Sequence, residues 1–426
     1  MTGPNHEKTD PRHSLLCFCV VIALLVVGIF LRLPPEPFEH GPLHALQSAH
    51  LQSHLKGVGV DEKIYRDYVN ELGQLGLASY PRVVHNYVER QKAAPGAILP
   101  PLRALYIVWA FAWQHCFGGD AISALRNVAA AFSILSLLLA TVFAARLDRS
   151  GYFLAITALM AFAPTQLHVS QHAIIDGVFA FWALLTIWSL WESLNHPANL
   201  GWKLLYGLAL VALVLTKENA LFVWLGVIVI LIANRWLRIG TVTRGLLVLT
   251  FLAPAISLIV LMLLAGGVPI LIDTYRLFIT KNYGLKYSEL TQDGPWHRYL
   301  VDLLLVSPII LLLAVGGIYN LTREKRLEWF LAIFLVSTYT MMCGIRYGIN
   351  LRFANMWDLP LRMLALSQVC FFAAILQRWR NVALASFVAL ICITEIHNYV
   401  ILEVKYPLYD LVTKDLASAL QILKSP

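Results

Sequence analysis

Charge is what this chain has least of. Asp, Glu, Lys and Arg together make up 14% of 426 residues, while 58% are hydrophobic and the mean hydropathy is +0.67. Soluble domains carry about 25% charged residues, so the composition excludes a large soluble protein and implies a polytopic membrane protein. Patterned cysteine is also lacking. Cys17, Cys19, Cys116, Cys343, Cys370 and Cys392 lie in or beside apolar runs, where cysteine acts as a small hydrophobe. They form neither a disulfide framework nor a zinc-finger spacing. Cys17-Phe18-Cys19 reads as packing within a span rather than as a lipidation site. There is no internal repeat of the transporter kind and no nucleic-acid motif. The net charge of +8 comes from bases at the ends of apolar runs, which fits membrane orientation rather than a nucleic-acid partner. The first apolar run is too long for a signal-peptide core and lacks a small-residue cleavage site, so it reads as a retained anchor.

The runs of about 20 apolar residues needed for a span predict an all-α polytopic fold. Ser14–Leu31 is the first. Leu102–Phe117 follows a long polar segment and is short and Trp-rich. Then come Ala121–Ala145, Tyr152–Leu167, Ile174–Trp191, Leu204–Thr216, Ala220–Asn234, Leu246–Ala265, Tyr299–Tyr319, Glu328–Cys343, Leu361–Leu376 and Val382–Tyr399. Residues 1–14 read as a cytoplasmic tail, 15–400 as the membrane domain and 401–426 as a C-terminal tail. Within the domain, 33–100 and 266–298 are two long extracytoplasmic loops. Four basic clusters test the topology: Arg146/Arg149, Arg235/Arg238/Arg244, Arg323/Lys325/Arg326 and Arg378/Arg380. All four are cytoplasmic if Leu102–Phe117 is interfacial or re-entrant, which leaves about eleven spanning helices. The first loop, the His168–Asp176 connection, the Thr216–Asn219 corner, the second loop and Arg346–Arg352 then share the opposite face.

The first loop contains amphipathic pieces near Leu43–Leu55, Asp61–Leu77 and Val83–Lys92, bounded by Pro34, Pro35 and Pro37 before and Pro95, Pro100 and Pro101 after. In a helix, Asp61, Tyr65, Tyr68 and Leu72 share a face and Glu62 points elsewhere. Two readings stand side by side: acids at a solvated helix N-terminus, or Asp61 as a carboxylate base for a hydroxyl. Arg103 reads as a snorkelling base or a phosphate ligand. Arg126, beside Asn127, and Asp176 enter apolar runs, where an ionisable group is costly and marks a site. Lys217 and Glu218 read as a local ion pair in a turn, or Lys217 reaches a lipid phosphate. Arg346, Arg352 and Lys281 are further cations for that anion. His168 and His172 are four apart but lack a third placed ligand, so they read as ordinary loop residues. Trp296, Tyr283 and Tyr287 suit the membrane interface or a sugar face.

These pieces, in order, resemble the GT-C type membrane glycosyltransferases that use polyprenyl-phosphate sugars. The chain is most similar to the branch of protein O-mannosyltransferases and lipid A aminoarabinose transferases. The resemblance runs from Leu15 to about Ala365. It rests on Asp61-Glu62-Lys63-Ile64-Tyr65, Pro100-Pro101-Leu102, Phe117-Gly118, Ala124-Leu125-Arg126, Ala163-Pro164, Asp176, Thr216-Lys217-Glu218, Ser307-Pro308 and Leu351-Arg352-Phe353. It implies a multi-pass protein of the plasma membrane, in bacteria the inner membrane, with an extracytoplasmic site. Its partners would be a polyprenyl- or dolichyl-phosphate-linked sugar, a hydroxyl acceptor and the bilayer. It further implies Asp61 and Asp176 as catalytic carboxylates and Arg126 and Lys217 as donor-phosphate ligands. Arg103 and Arg352 join them for that phosphate from their own positions in the sequence, with Glu62, Tyr65 and His172 secondary. Relatives carry a charged residue or His just before the Pro-Pro pair, where this chain has Ile98-Leu99. That departure leaves a divalent metal possible but without a ligand set. The sugar remains open among mannose, glucose, galacturonate, arabinose and aminoarabinose. The acceptor remains open among protein, lipid and polysaccharide hydroxyls. A transporter or lipid flippase is the alternative class; it would place charges at mid-span and show a repeat.

Overall fold

The computed structural model describes residues 11–39, 41–53, 58–147, 151–283, 292–345 and 349–406, and no strand occurs among them. In chain order the helices begin with α1 (Pro11–Arg32), α2 (Glu36–Glu39), α3 (Val60–Leu75), α4 (Tyr80–Ala93), α5 (Ala104–Phe117) and α6 (Ala121–Arg146). They continue with α7 (Tyr152–Ala161), α8 (Pro164–Gln171), α9 (Asp176–Asn195), α10 (Leu200–Thr216), α11 (Ala220–Leu237) and α12 (Arg244–Ala265). The last are α13 (Val268–Tyr283), α14 (Arg298–Val306), α15 (Pro308–Tyr319), α16 (Arg326–Cys343), α17 (Asp358–Ile375) and α18 (Arg380–Tyr399). Among the described residues, six helical segments are long and apolar enough to cross a membrane: α6, α9, α11, α12, Leu351–Ile375 and Gln377–Lys405. The bent pair α7–α8 makes a seventh, and Cys17–Arg32, α10 and α15 are shorter apolar helices. The chain is therefore an all-helical polytopic membrane protein.

Several boundaries differ from the sequence reading. Tyr152–Leu167 is not one straight helix. It breaks at Phe162-Ala163 with a bend of 51°, because Pro164 holds Ala163 extended and opens α8. Tyr299–Tyr319 is likewise split at Ser307 by Pro308. The second long loop is not irregular throughout: α13 occupies its first half. The anchor helix starts at Pro11 rather than Ser14. The C-terminal tail continues α18 as a π-helical turn over Val400–Lys405. Residues 1–10 and 407–426, Arg149, Ser150, Tyr287 and Arg346 lie outside the described residues.

The bundle has two distinct ends. At one, Arg146 pairs with Glu192 at 2.7 Å, Thr241 N donates to the Leu194 carbonyl at 2.8 Å, Trp191 packs on Phe330 and Asn320 donates to Gln368 at 2.8 Å. These contacts bring together the helix ends that carry Arg146, the 235–244 connection and the 323–326 connection, and α17 runs from Gln368 toward Arg378 at the same end, in line with the charge pattern. At the other end the first loop folds into α3 and α4. Their buried tyrosines clasp the extended segment before α5: Tyr68, Tyr80 and Tyr87 donate to the carbonyls of Leu99, Pro101 and Ile98 at 2.7, 2.5 and 3.1 Å. Gln91 adds bonds to Ile98 N and the Gly96 carbonyl. That lacing holds Pro100-Pro101-Leu102, which delivers Arg103 inward. α5 buries Tyr106, Ile107 and Ala110 and exposes Trp109 and Phe117, as suits a helix at the interface.

α15 and α17 cross closely at Gly317, where an added Cβ would lie 2.4 Å from the Leu364 carbonyl oxygen. Backbone cannot yield cheaply there. Gly317→Val is expected to lower stability by about 1–3 kcal/mol, read as a lower thermal unfolding midpoint in detergent. Gly245→Ala, where nothing lies within 4 Å, is expected to leave the midpoint unchanged.

Candidate active site

The site begins at the first turn of α3. Gly59 precedes the helix in an extended conformation. Glu62 folds back so that its Oε2 accepts from Gly59 N at 2.8 Å. Its Oε1 accepts from Ala173 N at 2.7 Å, in the break between α8 and α9. Glu62 is buried and satisfied by two backbone amides, which stitches the loop helix onto the membrane bundle. Its neighbour Asp61 is left at the rim, its side chain one-third exposed, with Oδ2 2.8 Å from Arg352 Nη2. Arg352 sits on the 3-10 turn Leu351–Trp357, whose start is capped by Asn350 Oδ1 accepting from Arg352 N at 3.0 Å.

A second pair lies beside the first. Asp176 opens α9, and its Oδ1 is 2.6 Å from Lys217 Nζ. The Lys217 ammonium also stands 4.0 Å from the centre of the Phe353 ring, and the Arg352 guanidinium 5.6 Å from the same ring. One aromatic ring thus lies near both cations. A third pair adjoins on the α5 side. Arg103 donates to Tyr65 Oη at 2.7 Å and to both carboxylate oxygens of Glu218, with Nε at 3.0 Å from Oε2. Lys217 and Glu218 are therefore not a local ion pair. Lys217 leaves α10 in an extended conformation, so adjacent side chains diverge to Asp176 and Arg103. Burial pushes the Lys217 ammonium below its usual value against the pull of Asp176. Burial also opposes the Arg103 charge, but Glu218 and Tyr65 outweigh it and hold its pKa well above the ordinary range.

Arg126 and His172 form an adjoining layer. Arg126 Nη1 meets Glu36 Oε1 at 2.7 Å, and its Nε is 3.8 Å from Glu62. His172 Nε2 contacts Ser53 Oγ at 3.0 Å, and its Nδ1 is 3.9 Å from Glu62. Burial, then the charges of His168, Arg126 and Arg352, push the His172 pKa well below its usual value, so the ring is neutral. Other candidates fall elsewhere. Lys281 donates to the carbonyls of Lys92 and Ala94 at the end of α4. The Trp296 ring is exposed, and its carbonyl accepts from Tyr339 Oη at 2.7 Å. His168 pairs with Glu403 at 2.8 Å.

A divalent metal does not fit this donor set. Among the described residues no group of three His, Cys, Asp or Glu converges on one point. Glu62 spends both oxygens on amides, and Asp61 and Asp176 each face a cation. Sequence reasoning missed Phe353 as the shared ring, Glu218 as the partner of Arg103 and Glu36 as the partner of Arg126. Only the Leu351-Arg352-Phe353 and Thr216-Lys217-Glu218 triplets hinted at the first two, and nothing in the sequence pointed to Glu36.

Residues 109–279 match the family model described as dolichyl-phosphate-mannose-protein mannosyltransferase. The match takes in Arg126, Asp176, Lys217 and Glu218, with Asp61 before it and Arg352 after it. The oligosaccharyltransferase of Archaeoglobus fulgidus in its apo form superposes with a TM-score of 0.59 at 14% identity, over 96% of this chain and 58% of that one. The fold is that of the GT-C type membrane glycosyltransferases. Oligosaccharyltransferase AglB from the same organism, in complex with an inhibitory peptide and a dolichol-phosphate, gives 0.57 at 13% identity over 94% and 56%. ArnT from Cupriavidus metallidurans in the apo state gives 0.52 at 15% identity over 86% and 64%. The chain thus spans less than two thirds of the length of each of these GT-C proteins. No curated protein sequence gives a significant match.

The neighbouring carboxylates have opposite structural roles, and unfolding separates them. Glu62→Ala strips the acceptor from the buried Ala173 amide and the part-buried Gly59 amide, so stability is expected to fall by about 1–3 kcal/mol. Asp61→Asn leaves a partly exposed amide beside Arg352, and its unfolding midpoint in detergent is expected to stay near wild type.

Proposed function

We propose that this GT-C protein transfers a sugar from a polyprenyl-phosphate donor to an acceptor hydroxyl on the extracytoplasmic side of the plasma membrane. The observation that carries this reading is the Asp61–Arg352 pair set against the Lys217–Asp176 pair across Phe353. It offers a partly exposed carboxylate next to cations, at the end of the bundle opposite the basic clusters. The positive-inside rule makes that end extracytoplasmic. The family match and the shared fold support glycosyl transfer from a lipid-linked donor.

The chemistry divides among the residues. Asp61 accepts the proton of the acceptor hydroxyl, whose oxygen attacks the anomeric carbon. The bond from that carbon to the phosphate oxygen breaks, and the lipid phosphate leaves with the electron pair. Arg352, Lys217 and Arg103 neutralise the leaving phosphate. Asp176 and Glu218 orient Lys217 and Arg103, and Tyr65 holds Arg103 from the loop side. In the donor-free state Arg352 is spent on Asp61. An incoming phosphate competes for that guanidinium and releases Asp61 to act as base. Arg126, Glu62 and His172 support the loop, with Arg126 close enough to adjust the charge near Glu62.

Membranes containing the protein are expected to transfer labelled sugar from members of a panel of polyprenyl-phosphate sugars. Asp61→Asn is expected to cut the rate by about 10²–10⁴-fold. Arg352→Ala and Lys217→Met should each lower it too. Full activity in Asp61→Asn would remove the base assignment. For sidedness, Cys19 and Cys116 are first replaced by Ser. A cysteine at Lys63 should then react with an impermeant maleimide on intact cells, and one at Asn199 should not. The reverse pattern overturns the extracytoplasmic site.

A further inference from the structure

Inside the bundle, away from the Asp61 site, lies a charged cluster that the proposed chemistry does not use. Arg362, in α17, is fully buried. Its Nη2 is 3.0 Å from Asp358 Oδ1 and 2.7 Å from Glu395 Oε2 on α18. Ser307, at the α14–α15 break, donates to the same Glu395 oxygen at 3.1 Å. Arg32, at the end of α1, is also fully buried. It donates to the carbonyls of Gly28, Met160 and Ala161 and to Ser133 Oγ, and it lies within the field of Asp358. The cluster joins α1, the α7–α8 break, the α14–α15 break, α17 and α18.

Such a cluster is a poor source of stability. Buried ion pairs often cost more in desolvation than they return, and charges inside a membrane bundle are expensive unless they serve a function. Here Arg362 Nε and Nη1, Asp358 Oδ2 and Glu395 Oε1 make no hydrogen bond among the described residues. What the cluster does supply is position. Asp358 directly follows the Leu351–Trp357 turn and begins α17. Two other contacts hold the same turn: Asn355 accepts from Gln166 of α8, and Trp357 Nε1 donates to Thr338 Oγ1 at 2.8 Å. The turn carries Arg352 and Phe353, so whatever fixes its C-terminal end also fixes the guanidinium facing Asp61.

We propose that Arg362, clamped between Asp358 and Glu395, is a positioning residue for sugar transfer: it fixes the Leu351–Trp357 turn and so holds Arg352 where the donor phosphate binds. The inference rests on the proposed function, since it needs Arg352 to meet that phosphate.

A double-mutant cycle tests it, read as the affinity of the purified full chain in detergent for undecaprenyl phosphate. Arg352→Ala is expected to weaken binding about 10-fold or more. Glu395→Gln, which loosens the clamp but leaves Arg362 paired with Asp358, is expected to weaken it about fivefold in the wild-type background. In the Arg352→Ala background it should add nothing, because both changes act through one guanidinium. Ser307→Ala provides a milder second probe with the same expected pattern. Equal fold-losses from Glu395→Gln or Ser307→Ala in both backgrounds, or no loss in the wild-type background, overturn the positioning role. Unchanged affinity in Arg352→Ala alone defeats instead the phosphate assignment on which the proposal rests.

Discussion

The arrangement depends on how one carboxylate is spent. Glu62 gives each oxygen to a backbone amide, one in its own helix and one in the α8–α9 break 111 residues away. A loop helix outside the membrane has few ways to hold a fixed place against a bundle. A buried, charge-assisted pair of amide bonds is a strong one. The same break turns the chain so that Asp176 begins α9 facing Lys217. The register of Asp61 against Arg352 and the position of Asp176 therefore share an origin.

Around that clamp the site obeys the economics of charge in an apolar solvent. Lys217 and Arg103 are buried, and Arg352 is largely shielded. Each faces a carboxylate: Asp176, Glu218 and Asp61 respectively. The charges at the site are thus paired, and on the proposed reading an anionic donor would enter by exchange rather than by filling an empty cationic pocket. Asp61–Arg352 is the most exposed of the pairs that flank Phe353, so it is the one that the proposed phosphate donor would open at least cost. Buried pairs resist because breaking them strands a charge.

The residue order made much of this legible. Long apolar runs announced a helical membrane protein, and the four basic clusters sorted its ends. Asp176, Lys217 and Arg103 stood out as charges at apolar boundaries, Asp61 as an acid opening an amphipathic loop helix and Arg352 as a further cation, and the structure places them at one end of the bundle. Other features could not be read in this way. Glu62 looks like any acid in a first helical turn, and nothing local reveals that its partner is the amide of Ala173. Lys217 and Glu218 are adjacent and of opposite sign, so local reasoning pairs them. The extended backbone at Lys217 sends them apart. Pro164 and Pro308 were visible, but a proline alone does not say whether a span ends, bends or continues.

The sequence by itself determined the apolar solvent, the all-helical class and the grouping of the basic residues, because these follow from composition, apolar run length and the cost of placing charge in hydrocarbon. Only the tertiary structure decided which carboxylate meets which cation. Those pairs join residues dozens to hundreds of positions apart, as in Lys217–Asp176 and Arg352–Asp61. Their geometry depends on helix breaks and crossings whose angles no local pattern encodes.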